Sequence, residues 1–410
     1  MSFSVTRDKG AFEYGGENLV SLFCQFSNLF KSSMWRMIWD ILRFNASARR
    51  LLAESESAVL DSKVADAKAT SLGAYLKANG YSDSFRDDYL LPIATSIWST
   101  PPSECADGFS ARSILRFMHN HHLLQITGKP KWLTVKGGSI NYVNKVISKL
   151  PPGALRLSTP VHSVRNSTVD GKHKVLLRTV SGHVEEYDHV IMATHSGTTL
   201  RILENGEQAT ADEKAILGGF QWTNNPTVLH SDTSALPTRK KAWCAWNYVT
   251  ESEPPTALRP GRSNSDQFGL SYLMNLVQHI NMDTFGPVIC TLNPTIAIRE
   301  ETIQARGNYE HPTFNAQAEE CQKRMPTIQN TRSISYAGAW MGYGFHEDGF
   351  TMGLKAAVAL GGVQLPFEIL PANRRVNAVW TANLFDILER IRLFLVWLLF
   401  GMFARLRLRA

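Results

Sequence analysis

Apolar residues recur at helical spacing through residues 17–52, where Leu19, Leu22, Phe23, Phe26, Leu29 and Phe30 lead on to Trp35, Ile38, Ile41 and Leu42. Residues 71–79 and 82–91 keep that spacing, so 17–125 reads as a helical region. The texture then changes. KWLTVK (131–136) predicts a short strand, and Gly137-Gly138-Ser139 a turn whose serine can cap a helix running through Tyr142, Val143, Val146 and Ile147 to the Pro151-Pro152-Gly153 stop. Strands are predicted over 154–158, 160–166, 174–179 and 187–193, with turns at Asp170-Gly171 and Ser181-Gly182. From 227 to 293 the segments VLH, AWCAWNYV, GLSYLMNLV and VICTLN alternate with Pro- and Gly-rich loops, as in an antiparallel sheet layered on helices. A short helix over 316–325 and a buried strand over 333–339 lead into a glycine-rich loop and a second small-residue helix, YAGAWMGYGFHEDGFTMGLKAAVALGG.

The two ends carry their own patterns. MSFSVTRDKGAFEY alternates like a strand and has no signal-peptide apolar core, so the chain is expected to begin inside folded material. At the other end LFLVWLLFGMFA (393–404) is uncharged but shorter than the ~20 residues a spanning helix needs. Arg390, Arg392, Arg405, Arg407 and Arg409 flank it, which favours an interfacial helix on an anionic membrane surface over a terminal helix packed on the protein's own core.

Composition narrows the classes. With 410 residues and 44% hydrophobic content the chain can bury a large core. A net charge of +7, from 43 basic against 36 acidic residues with no long basic run before the C-terminus, argues against a nucleic-acid-binding face and for a basic end. Cys24, Cys105, Cys244, Cys290 and Cys321 are odd in number, scattered and never paired as CxxC, so neither a zinc site nor a disulfide framework is expected, and a reducing intracellular compartment is. His119 and His122 share a helix face, but no carboxylate or cysteine completes a metal set.

The chemistry concentrates in the glycine loop. Gly342, Gly344 and Gly349 let backbone approach a ligand closely, and the helix start that follows favours an anion or a polar ring edge. The loop does not complete GxGxxG, and a glycine loop capping a core helix explains it equally well. No GxGxxG occurs anywhere in the sequence.

Taken in order, WLTVKGGS, TPVHSVRN, YDHVIMATHSGTTLRIL and SYAGAWMGYGFHEDGFTMGLKAAVALGG resemble, over nearly the whole chain, the flavin-dependent amine oxidase and phytoene-desaturase-like superfamily. LPIATSIWST, FMHNHHLLQITGKPKWLTVKGGS, CAWNYV, SYLMNLVQ, TLNP, YEHPTFNAQAEECQ and GFHEDGF are similar, more narrowly, to FAD/NAD(P)-binding oxidoreductases associated with cyclopropane fatty acid synthases. The resemblance implies an α/β (α+β) fold: a Rossmann-like FAD-binding domain beside a substrate domain of mixed β-sheet and helices. It divides the chain into a helical substrate-domain part (1–130), an FAD-binding part (131–205), a substrate-domain sheet (206–325), a second FAD-binding part (326–365) and a C-terminal tail (366–410). Relatives open with a strand, GxGxxG and a helix. This sequence lacks that βαβ unit, and Met1 matches an internal methionine of the family, so a truncated product is expected.

Roles follow from the resemblance. Val161 would hold the adenine through its backbone; Ala193, Thr194 and His195 would pass near the dinucleotide; Trp132, Gly137, Gly138 and Ser139 would line the isoalloxazine side; Gly344, Glu347, Asp348, Gly349 and Met352 would contact the pyrophosphate or ribityl chain and the flavin's pyrimidine edge. His346, Trp340 and Tyr343 are the catalytic candidates, His346 as an acid-base group or a hydrogen-bond partner of the flavin, the two aromatics as walls of an apolar substrate cavity. The implied activity is hydride abstraction by FAD from an apolar, lipid-like or amine small molecule. The alternative is a non-catalytic flavoprotein remnant or a membrane-associated binding protein.

Overall fold

Strands β1 (Phe3–Arg7) and β2 (Phe12–Gly15) form where buried Val5 and Tyr14 alternate with polar neighbours around the Asp8–Gly10 turn. The remaining strands are β3 (Val161–Val169), β4 (Lys172–Thr179), β5 (Val184–Tyr187), β6 (Val190–Met192), β7 (Trp222–His230), β8 (Trp246–Glu253), β9 (Ser263–Leu273), β10 (Ile289–Leu292), β11 (Ile303–Pro312) and β12 (Ile334–Tyr336). The helices that matter here are α1 (Ser32–Leu60), α2 (Leu91–Trp98), α3 (Ala111–Asn120), α4 (Ile140–Ile147), α5 (Ser196–Asn205), α6 (Ala211–Leu217), α7 (Ala316–Arg324), α8 (His346–Ala359) and α9 (Trp380–Arg407). The computed structural model describes residues 2–60, 70–125, 130, 131, 133–253, 263–370, 374, 376 and 380–407.

The chain divides into two compact units. The first comprises Met1–Phe26, Leu91–Phe109 and Trp132–Leu370. It holds a seven-stranded sheet in the order β11-β7-β10-β9-β8-β1-β2, antiparallel throughout except where β1 lies parallel to β8. It also holds the antiparallel meander β3-β4-β5 and a two-stranded parallel pair, β6 and β12. One apolar cluster joins the meander, the parallel pair and three helices: Val164, Val175, Met192, Leu203, Ile216, Tyr336 and Trp340 are all buried in it. Gly206, just past α5, lies so close to β3 that a Cβ there would stand 2.1 Å from the Val164 carbonyl, which seats α5 on the meander.

Side chains brace the parallel pair on its β12 side. On one border Gln329 closes the edge of β12, its Nε2–H donating to the Tyr336 carbonyl at 2.7 Å and its Oε1 accepting from the Tyr336 N–H at 2.7 Å. Ahead of β12, Glu213 of α6 takes a bidentate bond from Arg332 and a 2.6 Å bond from the Tyr336 hydroxyl. Burial raises the Glu213 pKa, but the bonds from Tyr336, the Thr210 N–H and Arg332 outweigh it, so the carboxyl titrates below its usual range.

The second unit comprises Ser27–Leu90, Ser110–Lys131 and Pro371–Ala410. α1 and α9 meet through Arg36 and Trp39 on Glu389 and through Arg50 on Asp386, with Trp39 edge-on to Phe385 at 5.4 Å. Beyond those bonds α9 exposes Leu393, Phe394, Leu395, Val396 and Trp397 in succession. Among the described residues no helix is long and apolar enough to cross a membrane.

Several expected strands fail. Residues 133–136 form no strand, and neither do 154–158; Leu133 is 91% and Leu157 75% exposed, without a neighbouring strand to pair with. The single strand expected over 187–193 breaks at Asp188 and His189 into β5 and β6, which belong to different sheets. Ser139 occupies the N-cap of α4, but its side chain makes no capping bond. Gly349 lies inside α8 rather than ahead of it.

Candidate functional site

Because β6 and β12 run parallel, their carboxyl ends deliver two loops to one place: Ala193-Thr194-His195 and Ala337-Gly338-Ala339-Trp340. In open α/β sheets that is where ligands bind. The Ala337 N–H continues the ladder onto the Met192 carbonyl at 2.9 Å, and the Trp340 Nε1–H then donates to the Thr194 carbonyl at 3.1 Å. Trp340 is buried edge-on to Phe220, ring centroids 4.7 Å apart. Gly338 makes room for it, since a Cβ on Gly338 would stand 2.3 Å from the indole nitrogen.

The glycine turn is pinned from three sides. Gln322 of α7 donates to the carbonyls of Trp340 and Gly342 at 2.9 and 2.8 Å. The Trp98 indole donates to the Tyr343 carbonyl at 3.2 Å. Gly344, at φ +90°, has Phe314 against it, with ring atoms 3.3 Å from where a Cβ would stand. α8 begins at His346, and Asp348 caps its entry by accepting from the Phe345 N–H at 3.0 Å. Glu347 and Asp348 place two carboxylates in its first turn, which suits the helix dipole and opposes a phosphate there. The turn therefore offers polar groups to hydroxyls or an uncharged ring edge.

Thus Thr194, Trp340, Tyr343, Gly344, Asp348 and Gly349 meet at one turn, with Gly349 in ordinary contact with Ala339 at 3.7 Å, while Ala193 and His195 flank Thr194 in the chain. His346 is reached from α4, where the Tyr142 hydroxyl lies 3.2 Å from its Nδ1. α4 follows Gly137 and Gly138, both at positive φ, and Ser139. Val161 packs against the apolar cluster that also holds Trp340. Met352 is half-buried farther along α8, and Glu347 is exposed at its start. Trp132 lies outside the described residues. Among the described residues no group of acidic, histidine and cysteine side chains could hold a metal.

Sequence reasoning missed the far wall of the turn. β11 ends at Pro312, and Phe314 just beyond it packs on Gly344, so β11 also brings Glu310 to the site. Glu310 Oε2 accepts from His195 Nδ1 at 3.3 Å, and the imidazole stacks on Trp222 with centroids 4.0 Å apart and planes 16° apart. Trp222 is held in turn by its Nε1–H on Ser196 Oγ at 3.0 Å. His311 turns to the other face of the strand. There the Asn225 amide donates to its Nδ1 at 2.9 Å; burial, then neighbouring His195, hold its pKa down. The signal was present in YEHPTF, a segment that carried part of the resemblance but no assigned role.

Residues 4–214 match the family described as "Flavin containing amine oxidoreductase". No curated protein matches the chain. Among solved structures, a CLA-producing fatty acid isomerase from P. acnes is similar at 15% identity and a TM-score of 0.52, over 88% of this chain and 80% of its own. A redesigned putrescine oxidase, a triple mutant, is similar at 12% identity and a TM-score of 0.51, again over 88% and 80%. At such identities the likeness is one of fold, and it agrees with the mixed α/β architecture. The family match spans half of the chain, which belongs to the flavin-containing amine oxidoreductases.

Proposed function

We propose that this FAD-dependent oxidoreductase abstracts hydride from a small apolar or amine substrate at the carboxyl ends of β6 and β12. The observation that carries the reading is the Trp340–Thr194 bond, which ties two parallel strand ends to the glycine turn, the kind of place where open α/β sheets take a ligand. FAD, when bound, supplies the hydride acceptor. The described residues suit its uncharged half. Gly344 and Gly349 would allow close approach, Glu347, Asp348 and Met352 would meet ribityl hydroxyls or the pyrimidine edge, and Ala193, Thr194 and His195 would pass near the dinucleotide. Gly137 and Ser139 would offer backbone donors ahead of α4, Gly138, whose N–H bonds the Val135 carbonyl at 2.9 Å, would hold the turn that presents them, and Val161 would offer a backbone edge for the adenine. Buried Trp340 and half-buried Tyr343 would keep water from the reacting carbon, and His346, steadied by Tyr142, would hold or move a proton at its imidazole nitrogens.

A lipid-like substrate is supported by the apolar end of α9. Leu393, Phe394, Leu395, Val396 and Trp397 are exposed on every side of the helix, next to Arg390 and Arg392, which suits docking on an anionic membrane inside the cell rather than spanning it.

The test is cofactor uptake by the full chain. Reconstituted with FAD and desalted, the protein should keep a flavin absorption band, and Gly344→Val should bind FAD at least about tenfold more weakly, since a residue at φ +90° facing Phe314 loses on the order of 1.4 kcal/mol or more. A folded parent chain that retains no flavin overturns the reading. Anaerobic bleaching with a panel of amines and fatty acyl chains then separates the substrate classes.

A further inference from the structure

The Glu310–His195 pair is built as a base and its positioning carboxylate. An ionised carboxylate can only accept, so the imidazole proton shared with Glu310 sits on Nδ1, and in the neutral ring that leaves the lone pair on Nε2. The ring cannot swing away freely, because it stacks at 4.0 Å on Trp222, itself fixed by Ser196. The pair also stands in the right place. A chain of contacts runs from His195 to adjacent Thr194, from Thr194 to Trp340, along the turn to Gly344, across to Phe314, and back along the strand to Glu310. It links the pair to the corner at which the strand ends converge. His195 and Glu310 are both about half-exposed there, so a small molecule can reach them.

We infer that His195 Nε2 takes the proton from the substrate's ammonium nitrogen and that Glu310 is the positioning residue that keeps Nε2 free. This rests on the flavin-oxidoreductase reading. In the step, one N–H bond of the ammonium breaks and its electron pair stays on the substrate nitrogen, while a new N–H bond forms at Nε2. FAD, when bound, would accept the hydride that the freed lone pair helps expel from the neighbouring carbon, so the substrate would leave as an iminium ion and the imidazolium would stay beside Glu310. An amine that stays protonated cannot release hydride in this way, so the base acts before the redox step.

The first readout needs no turnover. In the full chain labelled with 15N-histidine, long-range proton–nitrogen spectra should show the neutral His195 ring protonated at Nδ1, and in Glu310→Leu the proton should move to Nε2. A parent ring carrying its proton on Nε2 overturns the proposal. The second readout is anaerobic flavin reduction by a reactive amine at equal FAD content, set by absorbance. His195→Asn should reduce about 10²–10³-fold more slowly than the parent, and Glu310→Leu should fall between them. Reduction of His195→Asn at the parent rate also overturns it. A parent that takes up no FAD sinks the oxidoreductase reading instead, and the tautomer spectrum still decides whether the pair is a poised base.

Discussion

Glu213 and Glu310 lie in the same unit and each faces a nitrogen-bearing side chain, yet their surroundings are opposite. Glu213 is 1% exposed and saturated: Arg332 gives it three bonds, Tyr336 one, and the Thr210 N–H another. Arg332 is itself tied to Asn166, and its backbone sits at φ +44°. Glu310 is half-exposed, meets one imidazole nitrogen, and leaves the other nitrogen unspoken for. A carboxylate whose acceptor sites are all taken fixes structure, because nothing remains to exchange with a ligand. One that orients a ring while leaving its lone pair open is arranged for chemistry.

The sharpest way to break that comparison is to orphan the buried member. Arg332→Met leaves Glu213 buried with its charge uncompensated, so urea unfolding should show a loss of about 3–5 kcal/mol. The pH dependence has a definite sign. The folded Glu213 carboxyl titrates below its unfolded value, so its contribution is complete above the ordinary carboxylate range and disappears as pH falls through the lowered folded value. The parent should therefore lose stability on acidification through that window, and Arg332→Met should show a flatter profile. A variant as stable as the parent would mean that the corner is not the structural brace described here.

A smaller effect is expected where structure and chemistry meet. Gly338→Ala puts a methyl group 2.3 Å from the Trp340 indole nitrogen, which has packed neighbours and nowhere nearby to go. Overpacking of this kind costs about 1–3 kcal/mol, and displacing the indole breaks its bond to Thr194. Thermal unfolding should shift down modestly while FAD retention falls more than stability alone explains. Loss of stability with full FAD retention would separate Trp340 from the cofactor corner.

What the sequence made legible follows the same division. Local order was readable: the β3–β4 hairpin from its Asp170-Gly171 turn, α4 and α8 from their spacing, the antiparallel sheet from alternating segments between loops. Pairing partners far apart in the chain were not. β1 lies along β8 and β6 along β12, and neither three- nor five-residue strand states its partner. KWLTVK has strand composition, yet without a neighbour its described residues stay irregular. At the site, the glycine turn and the loop at Thr194 could be placed by resemblance, whereas Glu310, Trp222 and Phe314 enter only because β7 and β11 pair at Trp222 and Pro312.

The smallest expected effect is the most discriminating. Glu310→Gln removes a charge from a half-exposed pair on an edge strand, keeps the shape of the side chain, and leaves an amide oxygen that can still accept from Nδ1. Exposed pairs of this kind contribute roughly 0–1 kcal/mol, so urea unfolding should place the variant within about 0.5 kcal/mol of the parent. Flavin reduction by an amine should nevertheless slow, because the imidazolium formed at His195 loses its counter-charge. A loss of stability comparable to that of Arg332→Met would put Glu310 in the same class as Glu213. Near-parent stability with impaired reduction is what a carboxylate kept for chemistry requires.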